Sequence, residues 1–398
     1  AGSAAAGQAS AFGRAEALIN NGGFIVSKDH VILGQYRPAS AFIPASTWKI
    51  ATAALAIHTL GLDYHFPTFF YQGRQGRLFI RGRGDPFLTS EEIARLVKRL
   101  KKKLTMPVSA IIIDNSSFRL TGRPDGSTMT LNPYDADLSA LAVNFNTINL
   151  QVTDKVRSAE RQTPNLPIMA GLGQKLSIGR HRIALHKIKN INDYSGQLLA
   201  ALGGLTGGAA VCPIRRGKVP GGLTAIYIHR NSRNLKAVLK ALFLYSNNFI
   251  ANQIFLACGA RRFGWPATWE KARRAMREFM ALTVKLPKGA CEVMEGSGLS
   301  RHNRITPAAM LQLLTYFEPQ ADLLPLHYGQ RLKSGTLTGV YAYAGYLGAG
   351  KSPDPFVLIL NQANNVRDRV VRLLIGAYNQ ESGVGAGFKP AHREVTGA

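Results

Sequence analysis

The segment from Ser46 to Leu60 constrains this chain more than any other stretch of it. Ala, Leu and Ile recur there at helical spacing, Pro44-Ala45 precedes it and Gly61 stops it. A helix this apolar has to be enclosed, so other elements must pack around it. Yet Lys49 stands in its opening turn, three residues after Ser46.

That pair is chemically suggestive. Residues i and i+3 share a helix face, so the Lys49 amine can reach the Ser46 hydroxyl. A serine is a poor nucleophile until a neighbouring base takes its proton, and a desolvated lysine can be neutral enough to do so. Ser-x-x-Lys alone is a common chance match.

Two further patterns follow in order. Ser246-Asn247-Asn248 lies in a helical connection. Read functionally, Ser246 relays a proton toward a leaving amine and Asn248 holds a substrate backbone; read blandly, the triplet is a helix cap or turn. Lys333-Ser334-Gly335-Thr336 then leads into a strand-like stretch within Leu332 to Leu347. Gly335 clears room for a ligand against the strand edge, Lys333 supplies positive potential, and the Ser334 and Thr336 hydroxyls can bind a carboxylate. The bland alternative is an ordinary lysine entering a strand. Three motifs in this order and context resemble the serine acyl-transfer set shared by penicillin-binding proteins and class A β-lactamases.

The neighbouring residues resemble one subgroup, the type-4, low-molecular-mass class C penicillin-binding proteins, which are D-alanyl-D-alanine carboxypeptidases and also endopeptidases. Pro44 to Lys49, running on to Leu60-Gly61-Leu62-Asp63-Tyr64-His65-Phe66, looks like that family's nucleophile helix and exit. Gly84-Asp85-Pro86-Phe87-Leu88-Thr89, the spaced Asp114, Ser116 and Phe118, and His229-Arg230 with Ser232 are similar to further family signatures. So is Glu295-Gly296-Ser297-Gly298-Leu299-Ser300, followed by Asn303-Arg304 and Thr306-Pro307. The departures are Ser334 for the usual Thr, Glu295 for Asp, a shorter gap between Ser46 and Ser246, and no clear counterpart after Val152 of the family's extra inserted domain.

The resemblance implies an α/β (α+β) fold with a penicillin-binding-protein/β-lactamase-like transpeptidase domain, an antiparallel sheet flanked by helices. It implies catalytic roles for Ser46, Lys49, Ser246, Asn248 and Lys333, and substrate binding by Ser334, Gly335 and Thr336. The expected substrates are peptidoglycan stem peptides, with β-lactam antibiotics trapping the same serine. No metal or organic cofactor is required, and a periplasmic location follows from family and substrate. A β-lactamase-like hydrolase and a catalytically silent envelope-binding protein of the same fold are the rivals. The first lacks an identifiable deacylating glutamate, and the second should have lost a motif residue.

Length and texture suggest a discontinuous catalytic domain over 8–66 and 229–380 with an accessory α/β domain, 67–228, inserted in it. Strands are expected at Arg77 to Arg81, Ala110 to Asp114 and Thr147 to Val152 around a helix over Ser90 to Lys102. Residues 1–7 read as a cloning remnant before a mature chain and 381–398 as a flexible tail. Cys212, Cys258 and Cys291 have no metal-ligand spacing, and sequence leaves their pairing open. Forty-nine Lys plus Arg against 23 Asp plus Glu give a formal charge of +26. That excess attracts polyanions, with anionic envelope polymers as one partner class. No RNP motif, zinc knuckle or basic-leucine heptad accompanies it, which argues against a specific nucleic-acid reader. No apolar run is long enough to predict a transmembrane segment.

Overall fold

The computed structural model describes residues 11–205, 212–348 and 353–381. The expected remnant and tail lie outside these residues, apart from 381 itself, as does part of the Gly203 to Gly208 connection. The chain builds a six-stranded antiparallel sheet whose spatial order begins at Leu326–His327. It continues through Gln330–Leu337, Val340–Leu347, Asp354–Leu360, Gly22–Lys28 and Val31–Tyr36. The first and last thirds of the chain therefore meet in one sheet. Its neighbours are hairpins except where Asp354–Leu360 pairs with Gly22–Lys28, placing Gly22 opposite Leu360.

One face of this sheet packs on Arg367–Glu381 and Ala11–Glu16. The other covers the larger core, where Lys49–Leu60 lies among Leu235–Tyr245, Asn248–Phe263 and Pro307–Phe317. The eight residues from Lys49 to Ala56 are all buried, the enclosure an apolar helix requires.

A second core lies between these two parts of the sequence. It gathers a five-stranded sheet in the order Tyr227–Asn234, His65–Gln72, Arg77–Gly82, Ala110–Asp114, Ile214–Arg216. The helices Ser90–Lys101 and Ile188–Gly203 and a three-stranded sheet around Thr147–Val152 complete it. Parallel pairing of Arg77–Gly82 with Ala110–Asp114 follows from the crossover helix Ser90–Lys101 between them. That helix carries Glu91 and Glu92 in its first turn and Lys98, Arg99 and Lys101 in its last, each sign at the end its dipole favours.

Several expected elements are refined. The helical connection around Ser246 is a break between two helices, Leu235–Tyr245 and Asn248–Phe263. The strand within Leu332 to Leu347 is a hairpin turning at Thr338-Gly339. The three cysteines are free thiols, Cys212 and Cys258 buried. No helix among the described residues is long and apolar enough to cross a membrane.

Candidate active site

The Ser46 helix begins later than its apolar pattern suggests. Ala45–Trp48 is a 3-10 turn, and the α-helix starts at Lys49. A 3-10 turn eclipses side chains i and i+3, which brings Lys49 over Ser46 more directly than an α-turn would. Lys49 Nζ lies 2.9 Å from Ser46 Oγ. Before the serine, Ala45 takes φ +47, a left-handed conformation that costs a non-glycine residue about 1–3 kcal/mol and is held by its surroundings.

Lys49 is fully buried and has two other polar neighbours. Its Nζ is 2.8 Å from Asn248 Oδ1 and 2.7 Å from the Ser297 carbonyl. An ammonium would donate to all three oxygens. A neutral amine would donate to the carbonyl oxygen and to Asn248 Oδ1, neither of which can donate back, and turn its lone pair to the Ser46 hydroxyl. Burial, then the nearby positive charge of Lys333, pushes the Lys49 amine well below its ordinary value, partly opposed by Glu295.

The Ser-Asn-Asn triplet is both a cap and part of the site. Ser246 ends one helix with φ +50, and Asn247 caps the next by accepting from the Ile250 N–H at 3.0 Å. Asn248 is then the first residue of that helix, where its side chain meets Lys49. Ser246 Oγ makes no hydrogen bond with the described residues; it is half-buried and lines a groove beside Asn248.

The third motif occupies Gln330–Leu337, alongside the serine turn. Gly335 has no space for a side chain: a Cβ there would lie 2.7 Å from the Pro44 carbonyl oxygen and 3.0 Å from Ser46 N. Lys333 is buried and donates to the Ser334 carbonyl at 2.8 Å. Burial, then Arg367, lowers its ammonium to about 8. Ser334 is half-buried and Thr336 exposed. Ser46, Lys49 and Asn248 are thus joined directly, Gly335 abuts the serine backbone, and Lys333 acts on Lys49 through its charge.

Two contributors were not assigned roles from sequence. Glu295, fully buried, accepts from Ser297 N and Oγ, Gly298 N, Asn252 Nδ2 and Asn303 Nδ2 at 2.6–2.9 Å. A buried carboxylate needs this many donors, and in taking them it fixes the loop whose Ser297 carbonyl holds Lys49. Trp48 Nε1 to the Glu295 carbonyl and Thr52 Oγ1 to the Gly296 carbonyl bind that loop to the Ser46 helix. The Glu-Gly-Ser-Gly signature was the signal, though nothing in it shows which oxygen faces Lys49. Arg367 is the second: its Nη1 donates to the Gly335 carbonyl at 3.1 Å and to Thr336 Oγ1 at 3.0 Å, while its guanidinium stacks on Tyr343. It opens the C-terminal helix, where no motif marks it.

The half-buried Ser46 against the buried Lys49, set between the sheet edge and the helix break, belongs to a fold of the penicillin-recognising type. The chain belongs to the D-Ala-D-Ala carboxypeptidase 3 (S13) family, which it matches over residues 14–178 and 177–328. It is 24% identical to D-alanyl-D-alanine carboxypeptidase DacB of Haemophilus influenzae, the match covering 82% of each chain. With the D-alanyl-D-alanine carboxypeptidase of Actinomadura sp. strain R39 it shares 22% identity over 80% of this chain and 73% of that one. Penicillin-binding protein 4 of Haemophilus influenzae superposes with TM-score 0.73 at 20% identity, covering 91% of this chain and 96% of that one. A predatory endopeptidase of Bdellovibrio bacteriovorus gives TM-score 0.54 at 14% identity, covering 92% and 93%. The chain is a serine-type hydrolase of the D-Ala-D-Ala carboxypeptidase class.

Proposed function

We propose that Ser46 attacks the carbonyl joining the two D-alanines of a peptidoglycan stem peptide, with Lys49 as the base that takes its proton. The observation that carries this reading is the Lys49 amine, buried and 2.9 Å from Ser46 Oγ, with its two other polar neighbours both acceptors. The backbone N–H groups of Ser46 and Thr336 serve as the oxyanion hole, where one donor is worth about 3 kcal/mol of barrier. Ser246 passes a proton to the departing amine and Asn248 Nδ2, free of protein partners among the described residues, holds the substrate backbone. Lys333 keeps the local potential positive, and Ser334 and Thr336, across Gly335, bind the terminal carboxylate beside Arg367. Water then releases the acyl group.

A β-lactam presents the same carbonyl chemistry and traps Ser46. The Haemophilus penicillin-binding protein 4 has been solved with a β-lactam bound, which supports this part of the reading. Against a fast β-lactamase stands the engagement of Glu295, whose oxygens are taken by the Ser297 loop, so it is not free to activate a deacylating water. Residues 67–228 act as an accessory unit, and the periplasm is where such substrates occur.

Intact-protein mass spectrometry after incubation with benzylpenicillin tests the assignment. A stable adduct on the parent chain, absent in Ser46→Ala, is the expected result. Neither adduct nor drug turnover would favour a silent scaffold instead.

A further inference from the structure

Through Ser246 and Asn248 the site borders a groove of about 630 Å³, which no residue of the Lys333 strand lines. One wall is the helix break at Tyr245 to Asn248, and the other comes from the second core, including Tyr134 and Arg182. The volume falls within the range of small-molecule sites and exceeds what the reacting dipeptide's two methyl side chains need.

The groove carries two cations without counterions. Arg233 and Arg182 both line it, and neither lies within 4.0 Å of a carboxylate among the described residues. Arg182 is held by one bond, Nε to Thr147 Oγ1 at 3.2 Å. Arg233 stacks its guanidinium 4.8 Å from the Phe87 ring centroid. Its Nη1 is buried with no hydrogen-bond partner among the described residues. Arg233 as a whole is half-buried, so it is the rest of its guanidinium, not this nitrogen, that an acceptor in the groove meets. Glu91, also on the wall, is exposed at the rim, where solvent screens it.

We propose that this groove is a carboxylate-recognising subsite for the part of the stem peptide upstream of the acylated carbonyl. The inference rests on the peptidase reading above. If the terminal carboxylate lies toward Lys333 and Thr336, the upstream residues leave past Asn248 and enter the groove. A γ-linked glutamyl residue, whose α-carboxylate stays free, has the chemistry two guanidinia select, and Arg233 can meet it in the planar, forked geometry arginine favours.

The test uses two synthetic stem pentapeptides ending in D-Ala-D-Ala, one with a free α-carboxylate on its γ-D-glutamyl residue and one with that group as carboxamide. The parent chain is expected to prefer the carboxylate peptide by about tenfold or more in kcat/KM, the scale of a charge-assisted hydrogen bond. Arg233→Gln should bring the two rates together, Arg182→Gln should narrow the gap, and Arg233→Lys should restore part of it. Equal rates in the parent chain would overturn the subsite, as would an Arg233→Gln enzyme that slows on both peptides by one factor. Should Arg233→Gln fail to fold, Arg182→Gln and the decline of the parent's preference with added salt decide in its place. Benzylpenicillin acylation of the parent chain separates the failures: acylation with equal peptide rates removes only the subsite, whereas no acylation and no cleavage removes the peptidase reading with it.

Discussion

An ammonium cannot accept a proton, so in the proposed mechanism the state of Lys49 governs whether Ser46 can react. Burial and the neighbouring charge of Lys333 favour the neutral amine, and the Asn248 and Ser297 acceptors orient it. Acylation therefore increases as pH rises through the depressed Lys49 value. It decreases again as Lys333, lowered to about 8, gives up the charge that draws in the substrate carboxylate. The benzylpenicillin acylation rate should trace a bell whose alkaline limb lies near 8. Lys333→Arg should move that limb upward, because a guanidinium stays charged, and Lys49→Arg should lower the rate by at least about 100-fold, the lower end of general-base catalysis. A flat profile between about pH 6 and 10 would contradict the assignment, since the Lys333 limb near 8 falls inside that window. The serine–lysine pair was legible because i and i+3 proximity is local. The Ser297 carbonyl and Arg367 were not: a backbone oxygen leaves no mark in composition, and Arg367 reaches Gly335 only through the tertiary packing of the last helix.

At the scale of elements, strands and helices with strong patterns appear near their expected places, including Arg77–Gly82, Ala110–Asp114, Thr147–Val152 and Ser90–Lys101. His65–Gln72 and Tyr227–Asn234 were missed, though they pair as neighbours in the five-stranded sheet. Charged and polar residues interrupt Tyr227–Asn234, and their partners come from far along the chain. Glu92, on the Ser90 helix, accepts from Ser232 N at 2.7 Å and Oγ at 2.6 Å and faces His229 Nε2 at 3.0 Å. Burial alone would push Glu92 up, but the bonds from His229 and Ser232 outweigh it and hold it down at about 2. Asp85, held by Asn231 Nδ2 and Phe87 N, goes the other way: burial exceeds those bonds and raises it to about 6. The signs differ accordingly. Glu92 contributes stability above its unfolded value near 4.5 and loses it as pH falls toward 2. Asp85 contributes stability below its unfolded value near 3.8 and loses it as pH rises through 6. Each swing is about 3 kcal/mol. Thermal melts should show Glu92→Gln flattening the acid limb and Asp85→Asn flattening the decline from about pH 4 to 6. Unchanged limbs in both variants would mean these contacts do not couple to unfolding.

For the whole molecule, the family resemblance implied the fold class and the texture an inserted segment, but neither showed that the first strands close the same sheet as the last ones. That pairing spans more than 300 residues, as in Gly22 with Leu360, and no local signal encodes it. The charge of +26 was plain in the sequence, and most of it lies outside the serine site. The basic end of the Ser90 helix illustrates why: Lys98, Arg99 and Lys101 are solvent-facing on the second core. We propose that this surface concentrates the enzyme on anionic envelope polymers, a long-range attraction that acts before any peptide enters the cleft. The screening length shrinks from about 10 Å at 0.1 M salt to about 3 Å at 1 M, so such an attraction must fade over that range. Hydrolysis of intact, polymer-bearing peptidoglycan should therefore slow as salt rises, while hydrolysis of a neutralised short D-Ala-D-Ala peptide stays within about twofold. Sedimentation of the protein with the same wall material should fall in parallel. Co-sedimentation that persists at 1 M salt would assign wall binding to specific short-range contacts and leave the net charge without this role.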